Sequence, residues 1–133
     1  MTARPRIADY MARDLILLRP DMEILHAMKI LLEKRISGAP VVDAEGHLVG
    51  VLSKKDCLRA ALHGAYYQEW GGQVAAFMSA PAATLDVDLD LVEATESFLA
   101  SPYRRFPVLR EGELVGQISR ADLLRALVDN WSG

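Results

Sequence analysis

With one cysteine in 133 residues, the chain can form neither an internal disulfide nor a cysteine-rich metal site. That residue, Cys57, sits between Asp56 and Leu58 and reads as a small buried apolar group rather than a reactive thiol. No apolar run approaches the ~18 residues of a membrane span. The opening Met-Thr-Ala-Arg-Pro-Arg-Ile-Ala-Asp carries early positive charge with no apolar stretch behind it, so it does not read as a secretory signal, and a cytoplasmic location is expected. Lys and Arg are scattered rather than blocked, and the net charge is −3. Both features argue against a nucleic-acid-binding arm or a polybasic membrane anchor.

Signatures of catalysis are also missing. There is no Gly-x-Gly-x-x-Gly, Gly-x4-Gly-Lys-Ser/Thr, His-Glu-x-x-His or Gly-x-Ser-x-Gly. His26 lies on the polar side of a helix with Lys29 and Glu33, His47 lies in a turn, and His63 ends a helix where its charge favours the dipole. All three read as surface histidines. Asp86, Asp88 and Asp90 precede a helix and read as caps. The expectation is a protein that is not an enzyme, with neither catalytic nor metal-binding residues.

What the chain does have is an apolar fraction of 51% with 25% charged residues, the balance of a folded globular protein. Its length fits one domain or two subdomains sharing a core. It also contains a duplication. A shift of 67 positions aligns Met11, Leu18, Asp21, Ala27, Leu32, Pro40 and Val41 with Met78, Leu85, Asp88, Ala94, Leu99, Pro107 and Val108. After a one-residue deletion in a turn, a shift of 66 aligns Gly46, Leu48, Val49, Gly50, Ser53, Asp56, Leu58, Arg59 and Ala60 with Gly112, Leu114, Val115, Gly116, Ser119, Asp122, Leu124, Arg125 and Ala126. Sixteen ordered identities over 49 aligned positions with one gap make the duplication secure.

Each copy reads as β-α-β-β-α. A short apolar segment (15–18; 83–85) leads into Pro20-Asp21 or Asp86-Val87-Asp88, where an Asp can cap the following helix. Ile24, Leu25, Met28, Leu31 and Leu32 recur at helical spacing, as do Leu91, Val92, Thr95, Phe98 and Leu99. Two β-rich runs follow in each copy, 39–42 with 48–52 and 106–109 with 114–118, each pair joined by a turn containing Gly. A second helix (54–62; 120–128) closes the unit, with apolar positions at Leu58, Ala61, Leu62 and at Leu123, Leu124, Leu127, Val128. A unit of ~50 residues is close to the size that cannot bury enough surface alone, so the two copies are expected to face each other through their sheets as an α+β sandwich with pseudo-twofold symmetry. Residues 1–62 then form repeat one, 78–133 repeat two, and 63–77 a linker in which Gly71-Gly72 breaks a helix and Tyr66, Tyr67 and Trp70 pack onto the body or a second subunit.

The chemistry concentrates in Ser53-Lys54-Lys55-Asp56 and its copy Ser119-Arg120-Ala121-Asp122, each at a strand-to-helix junction. One reading is a capping box. The other uses the same geometry as a binding site, since a helix N-terminus offers free N–H groups to a phosphate, an adjacent carboxylate can hold ribose hydroxyls, and Lys54 or Arg120 adds a cation.

Taken with Met11, the run Arg35-Ile36-Ser37-Gly38-Ala39-Pro40-Val41-Val42-Asp43, the segment Leu48-Val49-Gly50-Val51-Leu52 and their second copies, these motifs resemble tandem CBS domains, named after cystathionine β-synthase and also called Bateman modules, over roughly residues 7–131. The resemblance implies a regulatory sensor that binds AMP, ADP, ATP or S-adenosylmethionine in clefts between the copies. It implies one site of Met11, Ile16, Ile36, Ser37, Ser119, Arg120 and Asp122, and a second of Ser53, Lys54, Asp56, Met78, Ala83, Tyr103, Arg104 and Arg105. Asp56 and Asp122 would grip ribose. Because repeat two has Arg104-Arg105 where repeat one has Ser37-Gly38, phosphate affinity is expected to rest on Arg104, Arg105 and Arg120, with Lys54 secondary. The resemblance also implies a homodimer built through helices. The competing expectation is a dimerisation module without functional ligand binding, and a hydrolase using Asp56 or Asp122 stands third.

Overall fold

The computed structural model describes residues 5–131; residues 1–4, where part of the charged N-terminal segment lies, and 132–133 are outside the described residues. After a single 3-10 turn at Ile7–Asp9 come α1 (Ile24–Glu33), β1 (Gly38–Val42), β2 (Leu48–Ser53), α2 (Lys54–Tyr67), α3 (Val74–Phe77), β3 (Leu85–Asp86), α4 (Leu91–Leu99), β4 (Arg105–Arg110), β5 (Glu113–Ser119) and α5 (Arg120–Trp131). The class is α+β, and the β-α-β-β-α order recurs.

The chain divides into two compact units: Ile16–Ala82, and the segment up to Leu15 together with everything from Ala83 onward. In the first, β1 and β2 form an antiparallel hairpin with Pro40 opposite Val51. Leu18 adds a parallel bridge to Val41 on one edge, and Ser79 an antiparallel bridge to Val51 on the other. All five residues of β1 are buried, and Leu18, Ile24, Leu31, Val41, Leu52 and Val74 form the core beside it.

The second unit repeats the plan. Here β3 runs parallel to β4 and β4 antiparallel to β5, while Ala12 bridges Gln117 as Ser79 bridges Val51. Ile7, Met11, Val87, Phe98, Phe106, Val108 and Ile118 fill the core, with Phe98 and Phe106 edge to face at 4.9 Å. Each unit therefore has its outer edge closed by the segment that leads into the other repeat.

Several expectations need correction. The strand expected at 15–18 shrinks to the bridge at Leu18, whose N–H donates to Pro40 O and whose carbonyl accepts from Val42 N, both at 2.9 Å. A parallel ladder continuing backward would next need an N–H from residue 40, and proline has none. Pro107 imposes the same limit on the second copy, where the strand expected at 83–85 appears as Leu85–Asp86. Neither Asp21 nor Asp86 or Asp88 caps a helix. Glu23 occupies the N-cap of α1 without a side-chain bond. Asp90 caps α4, accepting from Glu93 N at 2.9 Å, while Asp88 pairs with Arg6 at 2.9 Å.

Residues 63–67 continue α2 instead of leaving it, and the helix ends at Gln68, which adopts a left-handed conformation. Gly64 makes this local packing feasible, because a Cβ there would lie 2.6 Å from the Trp70 ring. Ile24 N donates to Gly72 O at 2.8 Å and Val74 N to Met22 O at 2.9 Å, so 72–74 pack on their own unit. The helices also bury narrower stripes than their periodicity suggests. Ala27, Cys57, Ala60 and Ala126 face the cores, whereas Leu25, Leu32, Leu58, Leu62, Leu124, Val128 and Trp131 are exposed. Small residues let the helices approach the sheets closely, which leaves the flanking large ones outside.

Candidate functional site

At the end of β2 the backbone turns directly into α2, with Ser53 as N-cap. Asp56 N donates to Ser53 Oγ at 3.1 Å, and Ser53 N donates to Asp56 Oδ2 at 2.9 Å. The junction of β5 and α5 repeats this with Ser119 and Asp122 at 3.1 and 2.9 Å. Both copies are reciprocal capping boxes, which fixes each aspartate at the first turn of a helix.

Around that common frame the two copies differ. Asp56 is buried, with its side chain only 2% exposed. It also accepts from Ser53 Oγ at 3.0 Å, from Arg59 Nη2, and from Ser79 Oγ at 3.1 Å to Oδ1 and 3.3 Å to Oδ2. Asp122 accepts from Ser119 N and from Arg125 Nη2 at 2.7 Å, and its side chain is 18% exposed. The position matching Ser79 is Ala12.

Of the other expected residues, Ser37 meets the Ser53 junction and Arg104 the Ser119 junction, each through its backbone and each opposite to the set in which the sequence placed it. Lys54 N donates to Ser37 O at 2.8 Å, and Arg120 N to Arg104 O at 3.0 Å. Arg120 Nε also donates to Tyr103 O at 3.2 Å. Arg105 is half-buried, and among the described residues its Nε is buried with no hydrogen-bond partner. Desolvation lowers the Arg105 pKa, with Asp122 opposing that shift and Arg104 adding to it, which places Arg105 in the electrostatic reach of Asp122. Met11 and Met78 press on Gly116 and Gly50, where a Cβ would meet their sulfurs at 2.6 and 2.8 Å. Ile16 and Ile36 are half-buried, and Lys54, Ala83, Tyr103 and Arg104 are exposed.

Sequence reasoning missed Ser79, Arg59 and Arg125 as partners of the aspartates. The i,i+3 spacing of Asp56 with Arg59 and of Asp122 with Arg125, present in both copies, was a usable signal. Ser79 carried none, because its partner lies 23 residues away and its counterpart is an alanine.

Two homologous α+β units, each presenting a capped Ser-x-x-Asp at a strand-to-helix junction, define a tandem-repeat module. The CBS domain family model matches residues 7–63 and again 74–129, and the chain belongs to that family. It is 25% identical over 126 residues to the protein MJ1225 of Methanocaldococcus jannaschii, covering 95% of this chain and 44% of that one. It is 30% identical over 125 residues to the A-adding tRNA nucleotidyltransferase of Aquifex aeolicus, covering 94% of this chain and 15% of that one. The chain thus spans less than half the length of either relative. Among solved structures it is similar to the Arabidopsis thaliana CBS-pair protein CBSX2 in complex with AMP, with a TM-score of 0.84, 27% identity, and 94% of this chain and 97% of that one covered. Among the described residues no helix is long and apolar enough to cross a membrane.

Proposed function

We propose that the chain is a regulatory module that binds an adenosine-containing ligand (AMP, ADP, ATP or S-adenosylmethionine) through its Ser-x-x-Asp junctions. The observation that carries this reading is Asp122, an aspartate fixed at a helix N-terminus with acceptor capacity to spare, in a chain similar to a CBS pair that binds AMP. A carboxylate so placed suits sugar hydroxyls, and the helix N-terminus suits a phosphate. The residues expected from the sequence enter this proposal with one reassignment: Arg105, expected beside Asp56, lies in the electrostatic reach of Asp122 and is placed there, with arginines of the second repeat supplying the cations. The module acts by occupancy, and an occupied site transmits a signal only by favouring one of two states of the module or its partner.

Thermal melts test the reading. A ligand that binds only the folded chain stabilises it by about 2.7 kcal/mol at 100 times Kd. AMP, ADP, ATP or S-adenosylmethionine is expected to raise Tm, and Asp122→Ala to diminish the rise. Flat melts with all four would overturn the proposal.

A second reading, assembly, draws on the exposed apolar faces of α2 (Leu58, Leu62, Tyr66) and α5 (Leu124, Val128, Trp131). Contiguous apolar surface of this kind marks interaction sites. We infer a cytoplasmic homodimer built through these helices, a state that ligand sensing tolerates as well.

A further inference from the structure

The alignment that pairs Ser53 with Ser119, Asp56 with Asp122 and Arg59 with Arg125 pairs Ser79 with Ala12. Backbone placement at that fourth position is conserved between the copies. Ser79 exchanges two hydrogen bonds with Val51 at 3.0 and 2.9 Å, and Ala12 exchanges two with Gln117 at 2.8 and 2.9 Å. Only the side chain differs, and it lies where it decides what the aspartate can still accept.

An ionised carboxylate offers about four acceptor directions. Those of Asp56 are taken by the Ser53 amide, the Ser53 hydroxyl, the Arg59 guanidinium and the Ser79 hydroxyl, the last straddling both oxygens. A serine hydroxyl lying across both carboxylate oxygens stands where the two hydroxyls of a sugar diol would have to approach. At Asp122 only the Ser119 amide and Arg125 are engaged among the described residues. The Ala12 methyl donates nothing, so two acceptor directions remain open.

We propose that Ser79 is a built-in lock that holds the Asp56 carboxylate closed to ligand, so that the chain binds one adenosine ligand, at Asp122. This rests on the function proposed above and adds a stoichiometry and a residue that sets it. The lock is removable, because the alanine found at the matching place in the other copy shows that the fold accommodates one there.

Calorimetric titration with AMP of the full chain and two reciprocal variants tests it. Wild type is expected to bind one AMP per chain. Ser79→Ala is expected to bind two, the second at a freed Asp56, with the Ser53 hydroxyl able to turn away. Ala12→Ser installs the same lock over Asp122 and is expected to weaken AMP binding at least tenfold, with far-ultraviolet circular dichroism confirming that it folds. Two AMP per wild-type chain, one per Ser79→Ala chain, or undiminished affinity in Ala12→Ser overturns the lock while leaving the proposed function standing. No AMP binding by wild type or either variant overturns the lock, and together with flat melts for all four ligands overturns the proposed function as well.

Discussion

Replacing Gly116 by alanine probes the packing that completes the second unit. The new Cβ would lie 2.6 Å from Met11 Sδ, 3.0 Å from Met11 Cγ and 2.8 Å from Ala12 O. Met11 is buried and Ala12 O is backbone, already accepting from Gln117 N at 2.9 Å, so neither yields cheaply. Overpacking of this kind costs about 1–3 kcal/mol, and losing one of the two Ala12–Gln117 bonds costs about 1 kcal/mol more. A total of about 2–4 kcal/mol follows, equivalent at this chain length to a Tm lowered by roughly 8–15 °C. Gly112→Ala separates sterics from backbone conformation. Gly112 has a φ of 84° with nothing within 4 Å of its would-be Cβ, so that variant pays only the left-handed penalty of about 1–2 kcal/mol. Urea unfolding by circular dichroism measures both, and hydrogen exchange should show Ala12 and Gln117 losing protection in Gly116→Ala alone. A Gly116→Ala chain within about 0.5 kcal/mol of wild type would refute the argument that residues 7–12 are clamped against β5.

Burial, reinforced by the charge of Asp56, raises the Cys57 thiol above its ordinary 9.0; Ellman's reagent at pH 8 is expected to react only as urea unfolds the chain, and prompt native labelling would contradict this. Because that folded-state value is raised, the linked stability is present below pH 9.0 and is lost as pH rises through the higher value. The amide of His47, with that of Glu45 and the His47 charge, holds Asp43 below its usual 3.8 against an opposing desolvation effect. Its contribution is therefore present above that pH and lost as pH falls through the depressed value; Asp43→Asn should remove this acid dependence, and a carboxyl titrating at or above 3.8 by NMR would refute it. Leu124→Glu, on an exposed stripe, is expected to convert dimer to monomer by light scattering with stability changed by less than about 0.5 kcal/mol, and a monomeric wild type would defeat the dimer. Arg105→Ala is expected to weaken AMP binding about tenfold, roughly 1.4 kcal/mol, and unchanged calorimetric affinity would remove Arg105 from the site.

Much of the fold was readable because the chain states it twice. The hairpins fell at the expected places since Val41 and Val108, Gly50 and Gly116 mark equivalent strands, and turn glycines such as Gly46 and Gly112 separate them. The Ser-x-x-Asp junctions were readable for the same reason. Periodicity could not say how much of an apolar stripe is core, so Leu25, Leu32, Leu58 and Leu124 looked interior, although alanines beside them do the packing. Nor could it show that Pro40 and Pro107, themselves clear repeat markers, shorten the strands pairing with them. Three aspartates were read as caps of α4 and one of them, Asp90, is the cap; only Asp90 has a Glu three positions on, which was the clue that singles it out. Ser79 was invisible because its role depends on a partner brought near by the fold.

The differences between the repeats act in one direction. The Ile16–Ala82 unit has Ser79, which fills Asp56, and Gly38, which carries no charge. The other unit has Ala12, which leaves Asp122 open, and Arg105, whose buried Nε has no hydrogen-bond partner among the described residues and lies in reach of the Asp122 charge. A fully satisfied buried polar network rigidifies its surroundings, so the Ser53–Asp56–Arg59–Ser79 cluster suits a structural half. An incompletely satisfied one costs stability until a partner arrives, since an unmade buried hydrogen bond carries about 1–3 kcal/mol. A ligand bringing an anion to Arg105, with hydroxyls for the accessible Asp122, would recover the Arg105 cost only in the occupied state. This is the differential that a sensor requires, and it arises in the half that lacks Ser79.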